Sequence, residues 1–68
     1  MSLDNESRRA MIAYRQEKAD VALDDAAFLS NAGRYALAAN RLYYALYYAA
    51  SALLLSKEII TKRHSGLI

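Results

Sequence analysis

The sequence predicts an all-α protein: an antiparallel hairpin of two long helices, followed by the start of a third. No glycine or proline interrupts the stretches at about 4–31 and 35–57, which are rich in residues that favour helices. The connection between them, Asn31–Ala32–Gly33, is so short that the two helices must lie side by side in opposite directions. Thr61 or Ser65 is a suitable N-cap for a third helix at about 62–68.

The first predicted helix begins at Asp4 or Ser2, whose side chains suit an N-cap, and ends before Gly33, a typical C-cap residue. A narrow stripe at seven-residue spacing predicts contact with another helix besides the hairpin partner; it comprises Tyr14, Val21 and Phe28. An acidic ridge comprises Glu17, Asp20 and Asp24, a spacing that suits either a cation or, as we favour, a solvated surface. The main apolar face comprises Met11, Ile12, Ala19, Ala22, Leu23, Ala26 and Leu29.

The second predicted helix contains the most distinctive stretch, Asn40–Leu55, with two tyrosine pairs four residues apart. Its helical wheel has two apolar stripes, whereas an ordinary surface helix has one apolar face. We therefore expect a neighbour on each stripe. One stripe comprises Ala39, Leu42, Leu46, Ala49, Ala50 and Leu53; the other comprises Leu37, Tyr44, Tyr48 and Leu55, with Arg41 among them.

A bare hairpin has one internal seam, which is too little to bury all of these stripes. A single core in a chain below about 70–80 residues stabilises the fold only weakly. With 68 residues, the chain is therefore expected to be a fragment or an obligate oligomer. A two-fold homodimer that forms a four-helix bundle would cover the spare apolar surface.

The composition excludes several kinds of site. There is no cysteine and only one histidine, so disulfides, thiolate metal sites and paired-histidine metal sites are excluded, and we expect no cofactor. The charged start of the chain lacks a secretory signal, and its apolar run is too short and too polar for a membrane span, so we expect a cytoplasmic protein. The basic second half suits an acidic or nucleic-acid partner, or else packs beside the acidic first helix.

The order of motifs along the chain resembles the first half of a HEPN domain, named for higher eukaryotes and prokaryotes nucleotide-binding. The resemblance covers nearly the whole chain. The tyrosine-pair segment followed about twenty residues later by His-Ser-Gly is its most specific part. The matching residues are Arg15, Lys18 and Ala19, then Gly33–Arg34–Tyr35, Asn40–Arg41, Tyr43–Tyr44–Ala45, Leu53–Leu54, Lys62 and His64–Ser65–Gly66.

The resemblance implies an up-down bundle of four or five helices, usually dimeric, that pairs with a small nucleotidyltransferase, in some members as a toxin–antitoxin module. Active members of the family are metal-independent RNases with an arginine and a histidine separated by four to six residues. Here the histidine is His64, and the three positions where that arginine would stand hold Lys57, Glu58 and Ile59. The RNase motif is therefore absent from these 68 residues, and no catalytic residue is predicted.

Five residues are candidates for binding nucleotide or RNA: Arg41, Tyr44, Tyr48, His64 and Ser65. The Arg41 guanidinium suits a phosphate, and the two tyrosines suit stacking on a base. There are structural alternatives, because Arg41 can pair with a carboxylate of the first helix or with a partner subunit, the rings can serve packing, and His64 can cap or brace the start of the third helix.

Overall fold

The computed structural model of the chain is a pair of antiparallel helices that form a rod 53 Å long and 17 Å across. It describes residues 4–67, with the side chains of residues 4–58. Helix α1 spans Asn5–Asn31 and helix α2 spans Tyr35–Leu67. No strand occurs between residues 4 and 67, so the predicted all-α hairpin is confirmed.

Both ends of α1 are capped as the sequence predicts. The Asp4 carboxylate Oδ1 accepts a hydrogen bond of 2.7 Å from the backbone N–H of Ser7. At the other end, Gly33 adopts φ 77°, a left-handed conformation that glycine takes without a steric penalty. The N–H of Gly33 donates to the Ser30 carbonyl at 3.0 Å, and the N–H of Arg34 donates to the Leu29 carbonyl at 2.8 Å. This pair of bonds is a Schellman motif, which ends α1 and turns the chain into α2.

The seam between the helices is made of alanines. The buried apolar residues of the described chain are Ala22, Ala26, Ala38, Ala45 and Ala52. The three on α2 recur every seven residues and lie between its two apolar stripes, at positions that the sequence analysis left unassigned. Because the distance between helix axes depends on the side chains at the contact, methyl groups let the two backbones approach closely.

The two apolar stripes of α2 flank this seam instead of filling it. On one flank Leu46 and Leu53 are 65% and 70% exposed, and on the other Leu37 is 53% exposed while Tyr48 and Leu55 are half-buried. The narrow stripe of α1, Tyr14, Val21 and Phe28, is exposed as well. The surfaces predicted to meet further helices are therefore open in the single chain.

The predicted third helix is wrong for the described part of the chain. Helix α2 continues without a break through Leu67, so Thr61 and Ser65 lie inside it instead of capping a new helix. The β-branched pair Ile59–Ile60 lies within α2 and does not end it, although β-branched residues are weaker helix formers. Their cost is below about 1 kcal/mol per residue, and no proline or glycine occurs before Gly66 to end the helix.

Candidate functional site

Three predicted binding residues, Arg41, Tyr44 and Tyr48, lie on one side of α2 because they are spaced three and four residues apart. The Arg41 guanidinium lies over the Tyr44 ring, with 4.7 Å between Cζ and the ring centroid, which is within cation–π range. Arg41 also donates from Nη2 to the side-chain oxygen of Asn40 at 3.3 Å. No carboxylate among the described side chains forms an ion pair with Arg41, so the predicted alternative of such a pair is not observed there.

Helix α1 brings a second guanidinium to this side of the molecule. Arg15 donates from Nη1 to the hydroxyl of Ser51, which follows Tyr48 by three residues on the same side of α2. We call Arg15, Arg41, Tyr44, Tyr48 and Ser51 the aromatic–basic face. Its aromatic and basic residues are mostly half-buried, and Tyr44 is 38% exposed.

The tyrosine pairs hold the rings of this face in position. Tyr43 and Tyr44 meet edge to face with centroids 5.4 Å apart, and Tyr47 and Tyr48 do the same at 5.6 Å. This T-shaped geometry is a favourable arrangement of two aromatic rings. In each pair the first ring is largely exposed, 63% for Tyr43 and 58% for Tyr47. The rings of Tyr43 and Tyr47 therefore hold those of Tyr44 and Tyr48 in place at the edge of the face.

Further charged side chains lie beside the face on α1, among them Lys18 and, seven residues later, Asp25. Lys18 follows Arg15 by three residues, so it lies on the same side of α1, and its Nζ is 5.6 Å from the centroid of the Tyr14 ring. The acidic ridge of Glu17, Asp20 and Asp24 is exposed on another side of α1. No cluster of three potential metal ligands forms among the residues whose side chains are described. Exposed ring faces beside cations suit a stacked base and its phosphate.

His64 and Ser65 do not join the aromatic–basic face. They are described only as backbone of α2, and their side chains lie outside the described residues. In a continuous helix the sixteen positions from Tyr48 to His64 correspond to a distance of about 24 Å along the axis. The five predicted site residues therefore separate into the Arg41–Tyr44–Tyr48 group and a distant pair near the end of α2.

The contribution of Arg15 and Ser51 to this face was not predicted from the sequence. Arg15 was noted only as part of a motif, and Ser51 was assigned no role. A usable signal is present, because Arg8, Arg15, Ala22 and Leu29 recur every seven residues on the seam side of α1. Arginine at such positions indicates a guanidinium that reaches across the seam to the other helix.

Comparison with known proteins identifies the family. The model of the HEPN domain matches residues 12–68, which is most of the chain. The chain belongs to the HEPN family. The matched segment includes every residue of the aromatic–basic face, and the resemblance read from the motifs is confirmed. No solved structure matches this HEPN domain significantly.

Two curated relatives are longer than this HEPN domain. A UPF0332 protein of Thermotoga maritima is 44% identical over 61 residues, which cover 90% of this chain and 46% of that protein. A candidate toxin of Methanocaldococcus jannaschii is 44% identical over 52 residues, which cover 76% of this chain and 35% of that protein. The aligned part is thus less than half the length of either relative. Between residues 4 and 67, neither helix is long and apolar enough to cross a membrane.

Proposed function

We propose that this HEPN domain is the module of a toxin-like protein that binds a nucleotide or RNA through the aromatic–basic face. The observation that carries the proposal is the Arg41 guanidinium above the Tyr44 ring, without a described carboxylate to neutralise it. A guanidinium fork suits a phosphate, and neighbouring ring faces suit a base. The toxin setting is supported by the relative described as a candidate toxin.

The proposed protein partner is a small nucleotidyltransferase. Its support is membership of the HEPN family, whose members often pair with such an enzyme. A nucleotidyltransferase acts on nucleotides, so a nucleotide- or RNA-binding face on the HEPN side is chemically consistent with a shared ligand. For these 68 residues we propose binding and not cleavage, because they hold no arginine and histidine at the RNase spacing.

The proposal is tested by binding of a short single-stranded RNA, and separately of ATP, to the full-length protein, measured by fluorescence anisotropy. Arg41→Ala and Tyr44→Ala are expected to weaken RNA binding, the latter by about 1–3 kcal/mol for one lost stacking contact. Tyr35→Ala and Lys57→Ala are matched controls, since both side chains are exposed and lie outside the aromatic–basic face. Unchanged binding in both Arg41→Ala and Tyr44→Ala would contradict the proposal.

A second candidate function is a non-catalytic homodimerisation module. The observation that favours it is the open leucine stripe on the opposite flank, where Leu42 and Leu23 of α1 line one groove and Leu53 lines the next. Sedimentation of the full-length protein at micromolar concentration tests it. Leu46→Glu is expected to give monomers, whereas Leu54→Glu keeps the dimer, although both leucines are 65% exposed in the single chain. A well-folded wild-type monomer would contradict this function.

A further inference from the structure

The guanidinium of Arg8 is buried near the open end of the hairpin. Arg8 is 6% exposed and is the buried charged residue of the described chain, whereas its neighbour Arg9 is exposed. Arginine is almost never fully buried unless it is paired. Removing a guanidinium from water is unfavourable unless hydrogen bonds and a counter-charge replace its hydration. The surroundings of Arg8 are therefore informative about what it binds.

Those surroundings leave the Arg8 donors largely unsatisfied. A guanidinium has five N–H donors, and Nε and Nη1 of Arg8 are buried without an acceptor in the described chain. The counter-charge is Glu58, whose Oε2 lies 3.7 Å from Nε. That distance is within the range of an ion pair but beyond a hydrogen bond. The Glu58 side chain is also 59% exposed, so its charge is largely screened by water.

The contacts of Arg15, the next arginine on the same side of α1, do not bring a further negative charge to this seam. Arg15 lies seven residues further on, which is about 10.5 Å along the helix, and it donates to the neutral Ser51 hydroxyl. Among the described side chains, Glu58 is thus the one carboxylate paired with either arginine. The Asp4 carboxylate, four residues before Arg8, is a second negative charge near it, but its hydrogen bond comes from Ser7. What this end of the seam lacks, among the described side chains, is acceptors for the donors on Nε and Nη1 of Arg8.

We propose that Arg8 binds an oxyanion, the phosphate group of a small ligand, at the open end of the hairpin beside Glu58. Phosphate oxygens match the guanidinium fork with two parallel hydrogen bonds and supply acceptors for donors that lack one. Arg8 precedes the segment that matches the HEPN family, whereas Glu58 lies within it. The proposal does not depend on RNA binding at the aromatic–basic face.

Phosphate titration of the full-length protein at constant ionic strength, with chloride as the reference salt, tests the site. Ligand binding to the folded state raises Tm with ligand concentration. Phosphate also strengthens apolar burial without binding, so the informative quantity is the difference between variants. Arg8→Met is expected to lose the phosphate-specific rise in Tm, and Arg9→Met, which removes the same charge one residue away, is expected to keep it.

Two further variants sharpen the result. Glu58→Gln removes the carboxylate that competes with the phosphate, so this variant is expected to bind phosphate several-fold more tightly. Should Arg8→Met fail to fold, Arg8→Lys keeps the charge without the planar fork and is expected to weaken phosphate binding several-fold. In wild type, the Nε–Hε NMR signal of Arg8 is expected to shift on addition of phosphate, while that of Arg9 stays in place.

A nucleoside monophosphate, titrated in parallel, distinguishes the sources of the phosphate group. If the nucleoside monophosphate binds more tightly than inorganic phosphate, and this binding is lost in Arg8→Met, the ligand is a nucleotide. If the two bind equally tightly, the ligand is the free anion. The same phosphate response in Arg8→Met and wild type would overturn the proposal. A rise in the Tm of wild type that is no larger in phosphate than in chloride would also overturn the proposal. It would mean that Arg8 binds a partner other than phosphate.

Discussion

Arg15 on α1 donates a hydrogen bond from Nη1 to the hydroxyl of Ser51 on α2, 36 residues further along the chain. The ion pair between Arg8 and Glu58 follows the same register, because Arg8 lies seven residues before Arg15 and Glu58 lies seven residues after Ser51. A shift of α2 along α1 by one turn would break both contacts at once. The alanines between them are alike and cannot distinguish one register from the next, so the short connection at Gly33 and these polar pairs together specify the alignment.

Ser51→Ala is predicted to destabilise the hairpin. It leaves a charged donor of Arg15 without its acceptor in a partly buried position, which costs about 1–3 kcal/mol in the free energy of unfolding. Urea unfolding of Ser51→Ala, Arg15→Met and the double variant is expected to give a coupling energy of about 1 kcal/mol. Ser56→Ala, at a half-buried serine of the same helix, is the control, and a coupling energy near zero would contradict the prediction.

Ala45→Leu is predicted to separate the helices. Ala45 is 6% exposed in the middle of the seam, where three additional carbon atoms find no space without a movement of the backbone. Overpacking of this kind costs about 1–3 kcal/mol in the free energy of unfolding. Ala36→Leu makes the same change at an exposed position of α2 and is expected to stay within about 0.5 kcal/mol of wild type. Equal unfolding midpoints for the two variants would mean that the seam accepts larger side chains.

The cap at Asp4 is predicted to make stability depend on pH. The hydrogen bond from the Ser7 N–H holds the pKa of the Asp4 carboxyl below its ordinary value of 3.8. Because the folded-state pKa is lower than that of the unfolded chain, the cap stabilises fully above the unfolded value. Its contribution is lost as the pH falls through the folded-state pKa.

Thermal unfolding of Asp4→Ala checks this sign. The variant is expected to have a lower Tm than wild type at neutral pH, and the difference in Tm is expected to shrink in acid. Glu17→Ala removes an exposed carboxylate elsewhere on α1 and serves as the control. A difference in Tm that grows as the pH falls would show that the carboxylate of Asp4 has the opposite effect.

Salt dependence is predicted to separate the roles of Arg41 and Tyr44 in RNA binding. A phosphate contact releases counterions, so Arg41→Ala is expected to reduce the slope of log K against log salt by about 0.7 for single-stranded RNA. A stacked ring releases none, so Tyr44→Ala is expected to lower the affinity and leave that slope unchanged. Anisotropy titrations over a range of KCl concentrations give both quantities. A reduced slope in Tyr44→Ala would point to indirect displacement of Arg41, which lies over that ring.

The sequence was sufficient to predict the hairpin, because Asp4 and Gly33 cap α1 and no proline or glycine interrupts either helix. It was not sufficient to find the seam. Leucine and tyrosine dominate any hydrophobic pattern, so the two stripes of α2 stood out, while Ala38, Ala45 and Ala52 between them did not. Burial there follows from how closely two backbones fit together, and hydropathy does not measure that property.

The candidate site was predictable to the same limited degree. Helical periodicity alone places Arg41, Tyr44 and Tyr48 together. The pairing of Arg15 with Ser51 depends on the register between two helices, which no local pattern encodes. His64 and Ser65 were also predicted as binding candidates, and the continuous helix α2 places their backbone far along the rod from Tyr48.

The alanine seam separates two properties, the spacing of the helices and the recognition of other molecules, that most helical proteins combine in one set of residues. The spacing of the two helices is set by methyl groups, while the bulky side chains stand on the flanks, with Leu46 and Leu53 on one and Tyr44 and Tyr48 on the other. Substitutions on either flank can therefore alter which molecules are recognised without changing the frame that presents them. Under the proposed functions, evolution can exchange ligands on one flank and protein neighbours on the other, as long as the small residues between them are kept.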